Sequence, residues 1–442
     1  MLHFSLRYFI KRGKLINNRI KFNDLDYLKK RNQLRKDVGN CFTNIFFLAC
    51  FSVILITCRK DIISDPSVSG VQQDVYTNGS AIKYWDNGDH KKRMNIVFIG
   101  DGFALNDQVI WKAHVDNMLN ALFSSTLGEP FGRYAKFFNV YRIDMISKHS
   151  GLDEQNRTTP LRGMSGCYDL AVEDCYVDFS LTRNAIDYYM SRFGNPDIAL
   201  REVALNSSLH YGNVHWPSWG HFATYSAWNA NTVNIFIHEN GHMAGFLADE
   251  YVTDANATYS DNVTEFWKQY NDSLPNVTRI LNPLKWALWV GFDQPYQGNR
   301  SSRIGAYEGG LYVGKGIFRP SENCMMNFYK DPFCAVCREK IILDFYRKVR
   351  PVDSVIISIP VISVDLVDPD LFKIVWLVDE NEVAASVLSL DLSTLGLSSG
   401  EHAVRIEVSD KILEYSYTGT YFDWVRKDTN LLKQTIIKHV IL

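Results

Sequence analysis

Apolar residues along the chain fall into short runs separated by polar turn signals, a spacing that predicts alternating strands and helices. Residues 94–100 (MNIVFIG) form one such run, closed by Asp101-Gly102, and read as a strand covered on both faces. Residues 106–123 carry helical spacing, with Val109, Ile110, Val115, Met118, Leu119 and Leu122 on one side. A second strand is predicted over 138–143, a helix over 182–193 and a strand over 202–206. This alternation predicts an α/β (α+β) domain with a mostly parallel or mixed sheet.

The pattern changes near Pro351. Short β-branched runs follow at 355–359 (VIISI) and 372–376 (FKIVW). A turn at 399–402 (SGEH) and a strict alternation at 403–408 (AVRIEV) come after them. Strands at this spacing predict a small all-β sandwich of immunoglobulin-like type over residues 351–442. At the other end, residues 42–57 (FTNIFFLACFSVILIT) are apolar and follow a basic cluster of Lys29, Lys30, Arg31, Arg35 and Lys36, the anatomy of a secretory signal. The run is short for a spanning helix. It ends on Leu55-Ile56-Thr57-Cys58, which is similar to a bacterial lipoprotein box, with Thr57 larger than the usual residue before the cysteine. The expectation is a signal and lipoprotein segment at 1–58, its translation start downstream of Met1. A polar tether at 59–90 and a catalytic domain at 91–350 follow. The chain is then exported, as an outer-membrane or cell-surface lipoprotein held in the membrane through Cys58.

Composition narrows the function classes. Aromatic residues are 13% and hydrophobic residues 46% of the chain, which indicates packed cores. A net charge of -2 supplies no attraction for nucleic acid, and none is expected as a partner. Export changes how the cysteines read. Cys167 and Cys175 are candidates for a bridge, and Cys324 for pairing with Cys334 or Cys337; for the Cys334-x-x-Cys337 pair a disulfide or plain burial is preferred to a structural zinc.

The sharpest chemical signal is residues 234–242 (NIFIHENGH). His238 and His242, at i and i+4, stand one above the other on a helix, so both imidazoles can bind one Zn²⁺. Glu239 lies one residue round the helix, within reach of a water that zinc acidifies from a pKa of about 15.7 to about 7. It can take that water's proton during attack on a carbonyl. Gly241 and Gly245 each cost the helix about 1 kcal/mol relative to Ala, which implies tight packing or a chain turn. A catalytic zinc needs a third ligand and an open position. If the helix breaks at Gly245, the chain can fold back and present a carboxylate. The broad metzincin spacing falls on Ala248, which cannot bind, so Asp249 is the natural substitute and Glu250 the next. His210, His215 and His221 are further candidates, for the metal or for the wall of a cleft.

The block from His238 through Gly245 to Asp249-Glu250-Tyr251 resembles the signature of the IgA-peptidase family of bacterial zinc metallopeptidases. Three other blocks agree in order: residues 95–103 (NIVFIGDGF), residues 138–142 (FNVYR), and a late segment. That segment comprises 307–310 (YEGG), 316–320 (GIFRP), 322–326 (ENCMM) and 333–339 (FCAVCRE). The resemblance spans roughly residues 90–345 and implies a zincin/metzincin-like catalytic domain. It implies one catalytic Zn²⁺ on His238, His242 and Asp249, Glu239 as general base, and Met325 or Met326 as an apolar turn beneath the metal. Asn240 departs from the apolar or aromatic residue usual there. The C-terminal part resembles β-sandwich modules attached to such enzymes, with residues 421–426 (YFDWVR) as the final strand. The function implied is a zinc metalloendopeptidase that cuts an extracellular protein or glycoprotein substrate, acting as a monomer. The alternatives are a non-catalytic surface lipoprotein that binds protein or glycan on a retained scaffold, and a metal-dependent amidase or esterase.

Overall fold

The computed structural model describes residues 76–442 apart from 154–157, 166–174, 210–211, 264–267, 269–272, 295–300 and 415–423. The signal segment with Cys58, the tether as far as residue 75, Cys167, His210 and residues 421–423 lie outside the described residues.

Six strands make the main sheet: β1 (Gly79–Trp85), β2 (Met94–Asp101), β3 (Phe138–Met145), β4 (Ile198–Leu205), β5 (Asn213–His215) and β6 (Phe222–Ser226). Their order is β1-β3-β2-β4-β6-β5. The four inner strands run parallel, and β1 and β5 close the ends antiparallel. The longer helices are α1 (Gln108–Ser124), α2 (Phe179–Met190), α3 (Thr232–Gly245) and α4 (Ala335–Lys348). All eight residues of β2 are buried. Ile96 and Phe98 share a core with residues of α1, α3 and α4, while Val97 and Ile99 share a second core with α2. Successive side chains alternate faces along a strand, so an uninterrupted apolar run is what a sheet covered on both sides demands.

Two local expectations are corrected. In α1 the buried stripe is Trp111, His114, Val115, Met118, Leu119 and Leu122. Val109 is 77% and Ile110 45% exposed, because the stripe follows i, i+3, i+4 spacing from Trp111 and leaves them on the solvent side. The tether at 59–90 also ends early, since Gly79–Trp85 is the edge strand β1, in register with β3. An edge strand on a sheet face needs few apolar residues, so its polar content misleads.

A smaller sheet, β8-β9-β7, joins β7 (Val252–Thr258), β8 (Tyr307–Gly310) and β9 (Tyr312–Arg319). β9 pairs parallel with β7, Tyr312 opposite Val252. After α4, two antiparallel sheets follow. One is β10 (Val352–Ser358), β11 (Val361–Leu366) and β14 (Ser389–Asp391); the other is β12 (Phe372–Val378), β13 (Asn381–Ala385), β15 (Glu401–Asp410) and β16 (Lys433–Ile441). The final strand is β16, which pairs with β15 from Ser409 to Glu401. The described residues of the expected 421–426 strand instead dock on α4 and on Trp289. The Arg426 N–H donates to Glu339, its guanidinium lies 4.3 Å from the Trp289 ring, and Arg338 lies over Trp424.

One apolar core runs from β2 through α4 into both C-terminal sheets. At that junction Asp410, fully buried, accepts from Tyr134 (2.7 Å), from Tyr346 and from Arg133 (2.9 Å). No helix among the described residues is long and apolar enough to cross a membrane. Removing one partner of a buried charge network costs about 3–5 kcal/mol. Asp410→Ala is expected to lose that much in urea unfolding, and a loss within about 1 kcal/mol would contradict this account of the junction.

Candidate functional site

Every residue of α3 from Ile235 to Gly245 is buried. The helix packs one face on the sheet, through Phe236 against Phe98 and Tyr225. Gly241 is required by its neighbours. A Cβ there would lie 2.6 Å from the Phe333 ring and 2.8 Å from the Met326 sulfur, and one at Gly245 would lie 3.0 Å from Ile341 on α4. The helix ends at Gly245, but the reversal itself is made by Phe246, a left-handed residue at φ 50°. That turn sends the chain back along the helix it has just left.

The reversal brings Asp249 to the two histidines. Asp249 Oδ1 lies 2.9 Å from His238 Nε2 and 3.4 Å from His242 Nε2. The other ring nitrogens are committed: His238 Nδ1 donates to the Met325 carbonyl at 3.0 Å and His242 Nδ1 to the Leu247 carbonyl at 2.7 Å. These bonds fix the tautomer and aim both Nε2 atoms at one point. One donor atom from each of His238, His242 and Asp249 lies within 4.8 Å of the others, a set able to hold a metal ion. Burial pushes His242 toward its neutral form, yet the Asp249 carboxylate outweighs it and raises the pKa to about 9. Burial likewise works against the Asp249 carboxylate, but His242 and His238 hold its pKa far below the usual range.

Both groups line a cleft of about 370 Å³ together with Glu239, Gly212, Asn213, Val214, Trp216, Tyr251 and Tyr312. Tyr312 and Tyr251 pack edge to face with centroids 5.2 Å apart, and the Tyr312 hydroxyl donates to Asp249 Oδ2. Sequence reasoning missed Tyr312. Its position depends on the β9–β7 pairing and on left-handed backbone at Leu311 (φ 46°) and Tyr312 (φ 72°), with only the preceding Gly309-Gly310 as a local signal.

Other candidates go elsewhere. Glu250 faces away from the histidines and lies with Cys324, Cys334 and Cys337. The Cys324 and Cys337 sulfurs are 3.6 Å apart, too far for a disulfide, while the Cys175 sulfur meets Ser226 Oγ at 3.4 Å and its candidate partner Cys167 lies outside the described residues. His215 Nε2 sits 2.9 Å from Thr224 Oγ1 within an aromatic cluster, and His221 lies beside Trp216. Burial lowers the pKa of both to about 4, and neither joins the cluster. Met325 and Met326 are fully buried and act through their backbone too, the Met326 carbonyl accepting the Glu250 N–H at 2.8 Å. Asn240 faces the sheet, where its side chain interacts with the buried Glu202 carboxyl, whose pKa burial drives well up.

A family model described as IgA Peptidase M64 matches residues 82–298 and 296–345. The chain belongs to the IgA Peptidase M64 family. The matched span of this peptidase family contains every cleft residue named above and stops inside α4, so the C-terminal sheets lie beyond it. No curated protein matches the chain.

Gly→Ala inside a helix ordinarily gains about 1 kcal/mol. At Gly241 overpacking against Phe333 and Met326 is expected to reverse the sign, with a net loss of about 1–3 kcal/mol. Urea unfolding of Gly241→Ala measures it, and a stabilised variant would contradict the packing described.

Proposed function

We propose that this chain is an exported zinc-dependent endopeptidase that cuts extracellular proteins or glycoproteins. His238, His242 and Asp249 hold the metal and Glu239 is the general base. The observation that carries the reading is the convergence of two imidazole Nε2 atoms on a buried carboxylate while both Nδ1 atoms are spent on carbonyls. Two imidazoles and one carboxylate are a donor set that would suit Zn²⁺, and all three residues line the cleft. Bound there, zinc supplies Lewis-acid polarisation of a carbonyl and acidifies water.

The protein's own groups do the rest. Glu239, in the cleft wall, takes the proton of the attacking water and delivers it to the departing amine. Tyr312 fixes the Asp249 carboxylate through Oδ2, so that Oδ1 faces the histidines. A polypeptide substrate is favoured over a small ester or amide by β5, the end strand of the sheet. Its Asn213 and Val214 line the cleft, where an extended peptide can pair with a strand edge. Trp216 and Tyr251 offer apolar walls beside it. We read the catalytic part as zincin-like in detail and residues 351–442 as an immunoglobulin-like sandwich. We read the N-terminus as a signal with a lipid anchor at Cys58, and the protein as a monomer.

Glu239→Gln is expected to keep its zinc while casein or fluorogenic-peptide hydrolysis falls about 10²–10⁴-fold. His238→Ala is expected to lose both zinc and activity. Full hydrolysis by Glu239→Gln would exclude the assigned base, and wild-type protein that binds zinc without cutting any peptide would favour a binding scaffold.

A further inference from the structure

Behind the cleft, on the far side of the Asp249-Glu250 segment, lies a second cluster. The donor atoms of Glu250, Cys324, Cys334 and Cys337 all lie within 4.8 Å of one another, and all four residues are fully buried. We propose that these four side chains form a structural Zn²⁺ site, separate from the histidine cluster and binding its ion permanently.

The spacing of the sulfurs is the first argument. Cys324 and Cys337 stand 3.6 Å apart. A disulfide requires about 2.05 Å. Two thiolates on a tetrahedral zinc at about 2.3 Å each must stand roughly 3.8 Å apart. The observed separation therefore fits ligands of one ion. Three sulfurs and one carboxylate oxygen complete a closed, four-ligand set of the structural kind, and thiolates exclude the hard oxygen-seeking cations.

Unsatisfied polarity is the second argument, and it is independent of the first. Glu250 Oε1 accepts from Asn276 Nδ2 at 2.8 Å and lies 3.3 Å from the Cys337 sulfur, but Oε2 has no hydrogen-bond partner although no part of the residue reaches solvent. The cation acting on Glu250 is Arg319, whose Nη1 donates to the carbonyls of Glu308 and Gly309. A buried carboxyl with a bare oxygen is either kept neutral or met by a cation, and a metal bound by the three sulfurs supplies that cation.

The surroundings are those of a built site. Cys334 occupies the N-cap position of α4. The Cys334 N–H donates to the Cys324 sulfur at 3.4 Å. Asn276 is itself held by the N–H and carbonyl of Ala248, at 2.8 and 2.9 Å, which orients the Glu250 carboxylate. Support of this type is what metal ligands ordinarily receive.

The ion would tie three remote segments together. Glu250 directly follows Asp249, Cys324 directly precedes the Met325 whose carbonyl holds His238, and Cys334 and Cys337 stand at the N-cap and in the first turn of α4. Loading it releases the protons of the three thiols, and the metal keeps those sulfurs from pairing in an oxidising compartment.

Zinc counting on protein purified with zinc sulfate tests the proposal, using the double variant His238→Ala/His242→Ala to remove the cleft ion. Two zinc ions per wild-type chain and one in the double variant are expected. A mercurial reagent should release that remaining ion as three thiols react. Cobalt substitution should give a sulfur-to-metal charge-transfer band that Cys337→Ser weakens and shifts. One zinc per wild-type chain, lost entirely in a folded double variant, would overturn the proposal. So would a mass spectrum showing Cys324 bridged to Cys334 or Cys337. If the double variant does not fold, the wild-type count and the mercurial release decide alone. Should the double variant match a wild type that carries one zinc on cysteines, the cleft reading fails and this one stands.

Discussion

A carboxylate buried as deeply as Asp249 survives only beside positive charge, and the geometry around the cleft follows from that requirement. Its partners are the two imidazoles of α3, and each imidazole is held by a backbone carbonyl from a different segment: Met325 for His238, Leu247 for His242. The Leu247 carbonyl is supplied because the helix stops at Gly245 and the chain reverses at Phe246. The Met325-Met326 turn must also press against Gly241, which only a residue without a side chain permits. A short helix end, a positive-φ residue and a glycine thus place a charge cluster that no single element could assemble.

The sheet explains why the helix can be so completely buried. Covered on both faces, β2 and β4 offer α3 a wholly apolar bed except at Glu202, and there the polar Asn240 meets it. The residue that departs from the familiar pattern stands near that buried acid and donates its amide to the Phe236 carbonyl of its own helix. On the other side, the cleft is walled by the end strand β5 and by the tyrosines of the β9–β7 pair. The cleft face and the packing face of one helix are therefore set by different parts of the chain.

Legibility followed sequence distance. The i, i+4 histidines and the adjacent glutamate could be read because a helix alone sets their relation. Asp249 could be reached because it is one reversal away, and the β2 run because a strand covered on both sides has a local signature. The long-range partners could not. Tyr312 reaches Asp249 through a strand pairing 63 residues on. Cys334 and Cys337 looked like an isolated pair because their companions, Cys324 and Glu250, are separated from them in sequence, by 87 residues in the case of Glu250 and Cys337. Edge strand β1 passed for tether and β16 was overlooked because half-exposed strands carry weak apolar patterns, while Trp424 and Arg426 serve α4 and Trp289.

The central claim is that the buried charge cluster in the cleft is a metal centre. Zinc-edge anomalous diffraction from crystals of the unmodified protein tests it most directly. The account requires a peak at about 2.0–2.2 Å from His238 Nε2, His242 Nε2 and an Asp249 oxygen. A map with no peak there, and with Asp249 still hydrogen-bonded to both imidazoles in zinc-saturated crystals, would contradict it.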